Sequence, residues 1–238
     1  TRCAPAATVF WLAACGAVLL LTQSATVALS TVGCFLVIVG LVVQRRVPVR
    51  WRLRVIGAFT AVGIAAAVGA FFARHMIADA FGRSPDMSGR SIIWRRAAAL
   101  IAEHPIGGWG WFIGWPTSIE PFSSLVIRND GTATNQAHNV YVEAALTTGF
   151  VGAAIITGAI VWTLFRVVKV AVAHIDDNLW DVIPAVLMIA MFIQSFTESR
   201  LLFEGNWMLF VVIATWVKVR GEVPLVWPSA ARQHLEYS

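Results

Sequence analysis

The chain has 238 residues, 58% of them hydrophobic and only 13% charged, with a formal net charge of +5 and a mean hydropathy of +0.72. Soluble domains carry about twice that share of charge, so a water-soluble fold is excluded. The positive excess does not indicate nucleic acid either. The basic residues cluster between apolar runs, a placement that fits membrane topology and acidic lipid head groups.

A bilayer core about 30 Å thick takes roughly 20 apolar residues as helix. Six runs qualify in chain order, near 6–21, 26–43, 55–73, 139–165, 180–197 and 206–219. The expected fold is all-α, a polytopic transmembrane helical bundle of about six spans forming one domain over 1–238. The chain opens at Thr1 without an initiator Met or a charged leader, which reads as a fragment or processed piece. Cys3, Cys15 and Cys34 sit at or within apolar runs without paired spacing, so neither a disulfide framework nor a metal site is expected.

Charge sets the topology. "QRRVPVRWRLR" at 44–54 holds five arginines between the second and third runs, and the positive-inside rule makes it cytoplasmic. The turn at 22–26, the stretch 74–138 and residues 198–206 then fall outside. Arg166, Lys169 and the tail from Lys218 fall inside. The external stretch 74–138 is longer than a connector needs. It carries a helix pattern over Ser88–Glu103 and then "HPIGGWGWFIGWP", whose Trp109, Trp111 and Trp115 suit a water–membrane interface. It is expected to be an ordered, partly helical extracytoplasmic cap.

Within the 88–103 helix, Arg90, Trp94, Ala97 and Ile101 share one face at 100° per residue. A guanidinium on a packing face needs an anionic partner. Arg90 is therefore an anion-binding residue at a cavity, half of a buried salt bridge, or a contact to lipid head groups. His138 starts the fourth span, where the positive end of the helix macrodipole favours a neutral, proton-accepting ring; it is either a general base or a capping residue. Below it, Ala145, Gly149 and Gly152 form a small-residue face that would admit a neighbouring helix. Asn139 and Glu143 share another face, and Glu143 is expected to pair with an arginine or line a wet cavity. In "SFTESRLLFEGNW", Glu198 could pair with Arg200, orient His138 or bind a sugar hydroxyl. His75, His104, Arg74 and Arg83 are read as solvated loop. No cluster has metal-ligand spacing, and no P-loop, dinucleotide fingerprint or nucleophile elbow is present.

"SGRSIIWRRAAALIAEHPIGGWGWFIG", followed after a gap by "AHNVYVEAALTTGFVGA", resembles the O-antigen ligase and Wzy-type polymerase family. The family pattern falls on Gly89, Arg90, Trp94 (one residue late), His104, Pro105, Gly108, Gly110, His138, Asn139, Tyr141, Gly149 and Gly152. The resemblance covers about 20–215 and the C-terminal part of a usual member. It implies a membrane glycosyltransferase at the outer face of the bacterial inner membrane. Such an enzyme moves a glycan from an undecaprenyl diphosphate-linked donor to the hydroxyl of an acceptor glycan or glycolipid, without metal or cofactor and with inversion. Arg90 would hold the diphosphate and His138 would take the acceptor proton. Trp94, Asn139, Tyr141, Glu198 and Arg200 would line the substrate.

One departure stands out. Many members carry Ser-Arg where this chain has Ser24-Ala25, so a phosphate contact would pass to Arg200, Arg74 or Arg128. "TQSATVAL" and "FTESRLLFEGNWMLF" more resemble the exopolysaccharide-polymerase branch. Two other readings stay open, a transporter or flippase for lipid-linked glycans and an inactive assembly protein.

Overall fold

The computed structural model describes residues 5–22, 25–72, 90–112, 114–125, 134–176 and 179–222. Every regular element among them is helical. In hydrocarbon every backbone N–H and C=O must be satisfied within the segment, so even the Val- and Ile-rich runs form helix. Helices α1 (Pro5–Thr22), α2 (Ala25–Gln44) and α3 (Val49–Phe72) come first in the chain. Pro5 sits at the first helical position, where its missing N–H costs nothing. Helix α4 (Arg90–Glu103) belongs to the cap; α5 (Val140–His174), α6 (Val182–Ser195) and α7 (Glu204–Glu222) complete the chain, with one-turn 3-10 helices at Leu179–Asp181 and Arg200–Leu202.

Helix α5 is by itself long and apolar enough to cross a membrane, while Ser30–Gln44 and Val182–Ser195 are shorter apolar helices. At 1.5 Å per residue, α6 reaches about 21 Å, less than the run expected over 180–197. Helix α3 starts at Val49 rather than 55 and so carries Arg50, Arg52 and Arg54 in its first two turns. Large apolar side chains stand exposed along the helices, among them Phe10, Trp11, Phe35, Leu36, Phe59, Ile155, Phe165 and Val212. A surface of this kind suits lipid and not water.

Two cores share α5. Its lower part packs Ile160, Val167, Val170 and Ala171 against Ala185, Met188 and Met191 of α6 and Phe210, Ile213 and Val217 of α7. Its upper part meets the cap, where Ile93, Leu100, Ile101, Trp115, Phe122 and Leu125 gather around Ala145 and Leu146. On α2, Gly33 lies against Ile193 of α6, and the Cys34 thiol points at the Val186 carbonyl, 3.8 Å away. Small residues thus let these two helices approach.

Helix α5 is broken at Gly149 (φ 66°, ψ −176°), a backbone region that only glycine enters without strain. The break is filled from the cap. Trp109 N–H donates to the Leu146 carbonyl, Gly110 N–H to that of Thr147, both at 2.9 Å, and Phe150 N–H to that of Pro105 at 2.7 Å. A Cβ on Gly149 would collide with the Ile106 carbonyl, and one on Gly108 with the Thr147 backbone. Gly149 therefore admits a loop's main chain, not the neighbouring helix expected from the sequence. The His-Pro-x-x-Gly-x-Gly stretch is that loop.

The break also divides two environments. Val140, Glu143–Thr147 and Gly149 are buried, whereas Phe150, Val151, Ile155, Val161, Trp162 and Phe165 are large and exposed. A helix of 35 residues spans about 52 Å, well beyond the bilayer core. The protein-covered segment before Gly149 accounts for much of the surplus, and the lipid-suited surface starts at 150 rather than at 139.

Charge collects at the two ends of α5. At the C-terminal end, Arg52 of the arginine-rich segment pairs with Asp176 at 2.7 Å, and Arg220 and His174 meet Asp181 at 3.1 and 3.8 Å. The other end carries the candidate site.

Candidate functional site at the N-terminal end of α5

Three segments far apart in sequence converge here. Arg90 is the first residue of α4, His138 lies two residues before α5, and Glu198 follows the turn that ends α6. Glu198 bridges the other two. One carboxylate oxygen meets Arg90 Nη2 at 3.3 Å and the second meets His138 Nδ1 at 3.2 Å. The three side chains are 27%, 20% and 25% exposed for Arg90, His138 and Glu198, so the cluster opens to its surroundings. A single long contact between partly solvated charges contributes less than about 1 kcal/mol. Arg90 is loosely held, and its Nε is buried without a partner among the described residues. A carboxylate only accepts, so its contact with His138 requires a proton on Nδ1 and leaves Nε2 of the neutral ring bare. The arrangement therefore places a guanidinium and an imidazole on the two oxygens of one carboxylate.

The backbone of His138 explains how the ring is aimed. It is the one non-glycine residue with positive φ (51°) among the described residues, a conformation that needs support from its surroundings. Support comes from both sides. Ala137 N–H donates to Glu143 Oε2 at 2.7 Å, and the Trp94 indole N–H donates to the Ala137 carbonyl at 2.8 Å. Asn139 N–H donates to the Ser199 hydroxyl at 3.1 Å, which in turn donates to Glu143 at 3.2 Å. Glu143 also receives the Trp115 indole N–H at 2.7 Å. Among the described residues its carboxylate meets no arginine, one of the two roles expected for it; it is a buried acceptor for three donors around His138. Trp115 is correspondingly 3% exposed and does not lie at an interface.

The other sequence-selected residues divide. Asn139 is the N-cap of α5: its Oδ1 accepts from Tyr141 and Val142 N–H at 2.9 and 3.1 Å, and its Nδ2 donates to the Phe196 carbonyl at 3.1 Å. Tyr141 meets the Ser195 hydroxyl at 3.0 Å and packs its ring on Phe196. Both side chains thereby hold α5 to the end of α6. Trp94 keeps its ring 37% exposed beside the site while its N–H is engaged. Arg200 is exposed on the 3-10 turn next to Glu198, which pairs with Arg90 and His138 instead. Helix α4 is described from Arg90, and Ser88, where the sequence pattern starts, lies outside the described residues. Gly89, Arg74, His75, Arg83, Arg128, Ser24 and Cys3 lie outside the described residues. His104 is exposed, edge-on to Trp109 at 4.4 Å between ring centroids.

Sequence reasoning missed Ser199, Trp115 and the Ala137 peptide as members of the site. Nothing local marks Trp115 and Ser199, because the carboxylate of Glu143 recruits them from 28 and 56 positions away.

Helical in every regular element among its described residues, with one helix long and apolar enough to cross a membrane, a lipid-suited surface and a polar cluster at the end of that helix, the chain fits the class of helical membrane proteins. Comparison with known sequences narrows that class. The O-antigen ligase family matches residues 8–157, and the chain belongs to this family. It is also 26% identical over 227 residues to the exopolysaccharide production protein ExoQ of Rhizobium meliloti (strain 1021), covering 89% of this chain and 50% of that protein. The chain therefore spans about half the length of the curated relative it matches.

Proposed function

We propose that this protein transfers a glycan from an undecaprenyl diphosphate-linked donor to an acceptor hydroxyl at the extracytoplasmic face of the bacterial inner membrane, with about six helices crossing the bilayer. The observation that carries the reading is the meeting of Arg90 and His138 on one carboxylate, from two separate stretches that both match the family pattern. Arg90 binds the diphosphate and stabilises the charge that grows on it, a task a divalent ion performs in other transferases. His138 Nε2 takes the acceptor proton. The acceptor oxygen bonds to the anomeric carbon while the bond from that carbon to the diphosphate oxygen breaks, its electron pair leaving with the diphosphate. One such displacement inverts the anomeric carbon. The acceptor is a glycan or glycolipid, and the exopolysaccharide relative supports a growing polysaccharide chain. The arginine-rich segment lies at the opposite end of α5 from the site, which supports an extracytoplasmic location through the positive-inside rule.

The test uses the full-length protein with a lipid-diphosphate glycan donor and follows release of undecaprenyl diphosphate. His138→Ala is expected to lower turnover about 10²- to 10⁴-fold, and Arg90→Ala to lower it while also weakening donor binding. Unchanged turnover in both variants overturns the proposal. A transporter reading draws on the broken helix, a feature of many transporter binding sites. Here, however, the gap at Gly149 is filled by the main chain of the cap loop. Movement of intact donor without transfer is the result that favours transport.

A further inference from the structure

Resting on that reading, we propose that Glu198 is a positioning residue that makes proton abstraction by His138 conditional on donor binding. Its carboxylate is shared with Arg90 before the donor arrives and is left to His138 alone once a prenyl-linked diphosphate takes the guanidinium.

The geometry makes the hand-over feasible. Among the described residues, Arg90 reaches Glu198 through Nη2 alone, at 3.3 Å, and its Nε has no hydrogen-bond partner. A diphosphate presents several anionic oxygens to a guanidinium built for paired N–H contacts. It therefore outcompetes one long, partly solvated contact. His138 Nδ1 meets the other oxygen of the same carboxylate at 3.2 Å, so nothing on that side has to move when Arg90 leaves.

The charge consequence is direct. With Arg90 in place, the negative charge of Glu198 is divided between a full cation and the ring. With Arg90 on the diphosphate, that charge faces the imidazole, where it holds the Nδ1–H tautomer and stabilises the imidazolium formed when Nε2 accepts a proton. The neighbouring charges among the described residues do not replace it. Glu143 is buried and turned to Trp115, Ala137 and Ser199, and Arg200 is exposed. After transfer, the departing undecaprenyl diphosphate frees Arg90, which returns to Glu198. The imidazolium then shares its counter-charge with a full cation and its proton passes to water, restoring the starting state.

The test separates binding from turnover in the full-length protein, with farnesyl diphosphate as the binding probe in detergent. Glu198→Gln is expected to bind the probe at least as tightly as the parent protein, because a competitor for Arg90 has been removed. Its kcat is expected to fall about 10²-fold, at the lower end of a general base's contribution. A purely structural ion pair predicts weaker probe binding in this variant, and either that result or an unchanged kcat overturns the proposal. Should Glu198→Gln fail to fold, Glu198→Asp carries the same measurements. Its shortened carboxylate cannot span both partners, and parent-like binding with reduced kcat is expected; parent-like kcat overturns the proposal. The outcomes also separate the two levels of argument. If Arg90→Ala and His138→Ala abolish turnover while Glu198→Gln keeps it, the coupling alone fails. If all three keep it, the transfer reading fails as well.

Discussion

A buried carboxylate is stable only when its lone pairs are filled, and Glu143 fills its own with donors that flank one strained residue. Ala137 precedes His138, and Ser199 grips the residue after it. Replacing Glu143 with Gln keeps one acceptor oxygen and sets an N–H pair against donors that can no longer be matched. A loss of about 1–3 kcal/mol in stability is expected, read as a lower unfolding temperature in detergent. Turnover should fall by about tenfold or more, because small displacements of a catalytic group are expensive. Binding of farnesyl diphosphate at Arg90 should stay near the parent value. Weakened diphosphate binding of the same size as the turnover loss would instead make Glu143 a general scaffold. At this scale the sequence was informative about Arg90 and His138, since a charge and an imidazole at membrane boundaries stand out from their surroundings. It was silent about Trp115 and Ser199, because a hydrogen bond between residues 28 or 56 positions apart leaves no local pattern.

The broken helix shows the same contrast one level up. Hydropathy averages over a window, so the apolar run beginning at 139 reads as one continuous span, and Gly149 reads as one more small packing residue. What distinguishes it is a backbone angle, set by the cap loop whose amides and carbonyls complete the broken turn. Thr147 and Thr148 add to the effect by returning their hydroxyls to the carbonyls of Glu143 and Ala144, a habit that bends helices. Gly149→Ala is accordingly expected to cost more than about 3 kcal/mol, from backbone strain and steric overlap together. The measurement is thermal stability in detergent alongside limited proteolysis near Ile106. Gly152→Ala offers the comparison: it lies on a regular turn and would meet only the Thr148 side chain of its own helix, so a smaller loss is expected.

For the molecule as a whole, the alternation of charge was the most readable signal. Five arginines between two apolar runs oriented everything after them, and the fold brings one of those arginines, Arg52, onto Asp176 at the far end of α5 from His138. The pairing itself was not readable, because it joins residues 124 positions apart. The orientation is open to direct measurement. After replacement of the three native cysteines, a cysteine at Ser124, exposed in the cap, is expected to react with a membrane-impermeant maleimide in intact spheroplasts. One at Arg46, exposed in the arginine-rich turn, should react only after the membrane is opened. The reverse pattern would place the site in the cytosol and remove the basis for the proposed reaction.

The stub of α5 above Gly149 also acts as a ruler. Val140 to Thr148 makes about nine residues, so the imidazole stands ~13 Å above the point where the lipid-suited surface begins. That is a sensible height for chemistry on a diphosphate whose prenyl tail stays dissolved in the leaflet. Adding one helical turn between His138 and the break would lift the reactive groups by ~6 Å while leaving every residue type unchanged. Activity on a tethered donor should then collapse, whereas a water-soluble diphosphate, free to diffuse to any elevation, should still find Arg90.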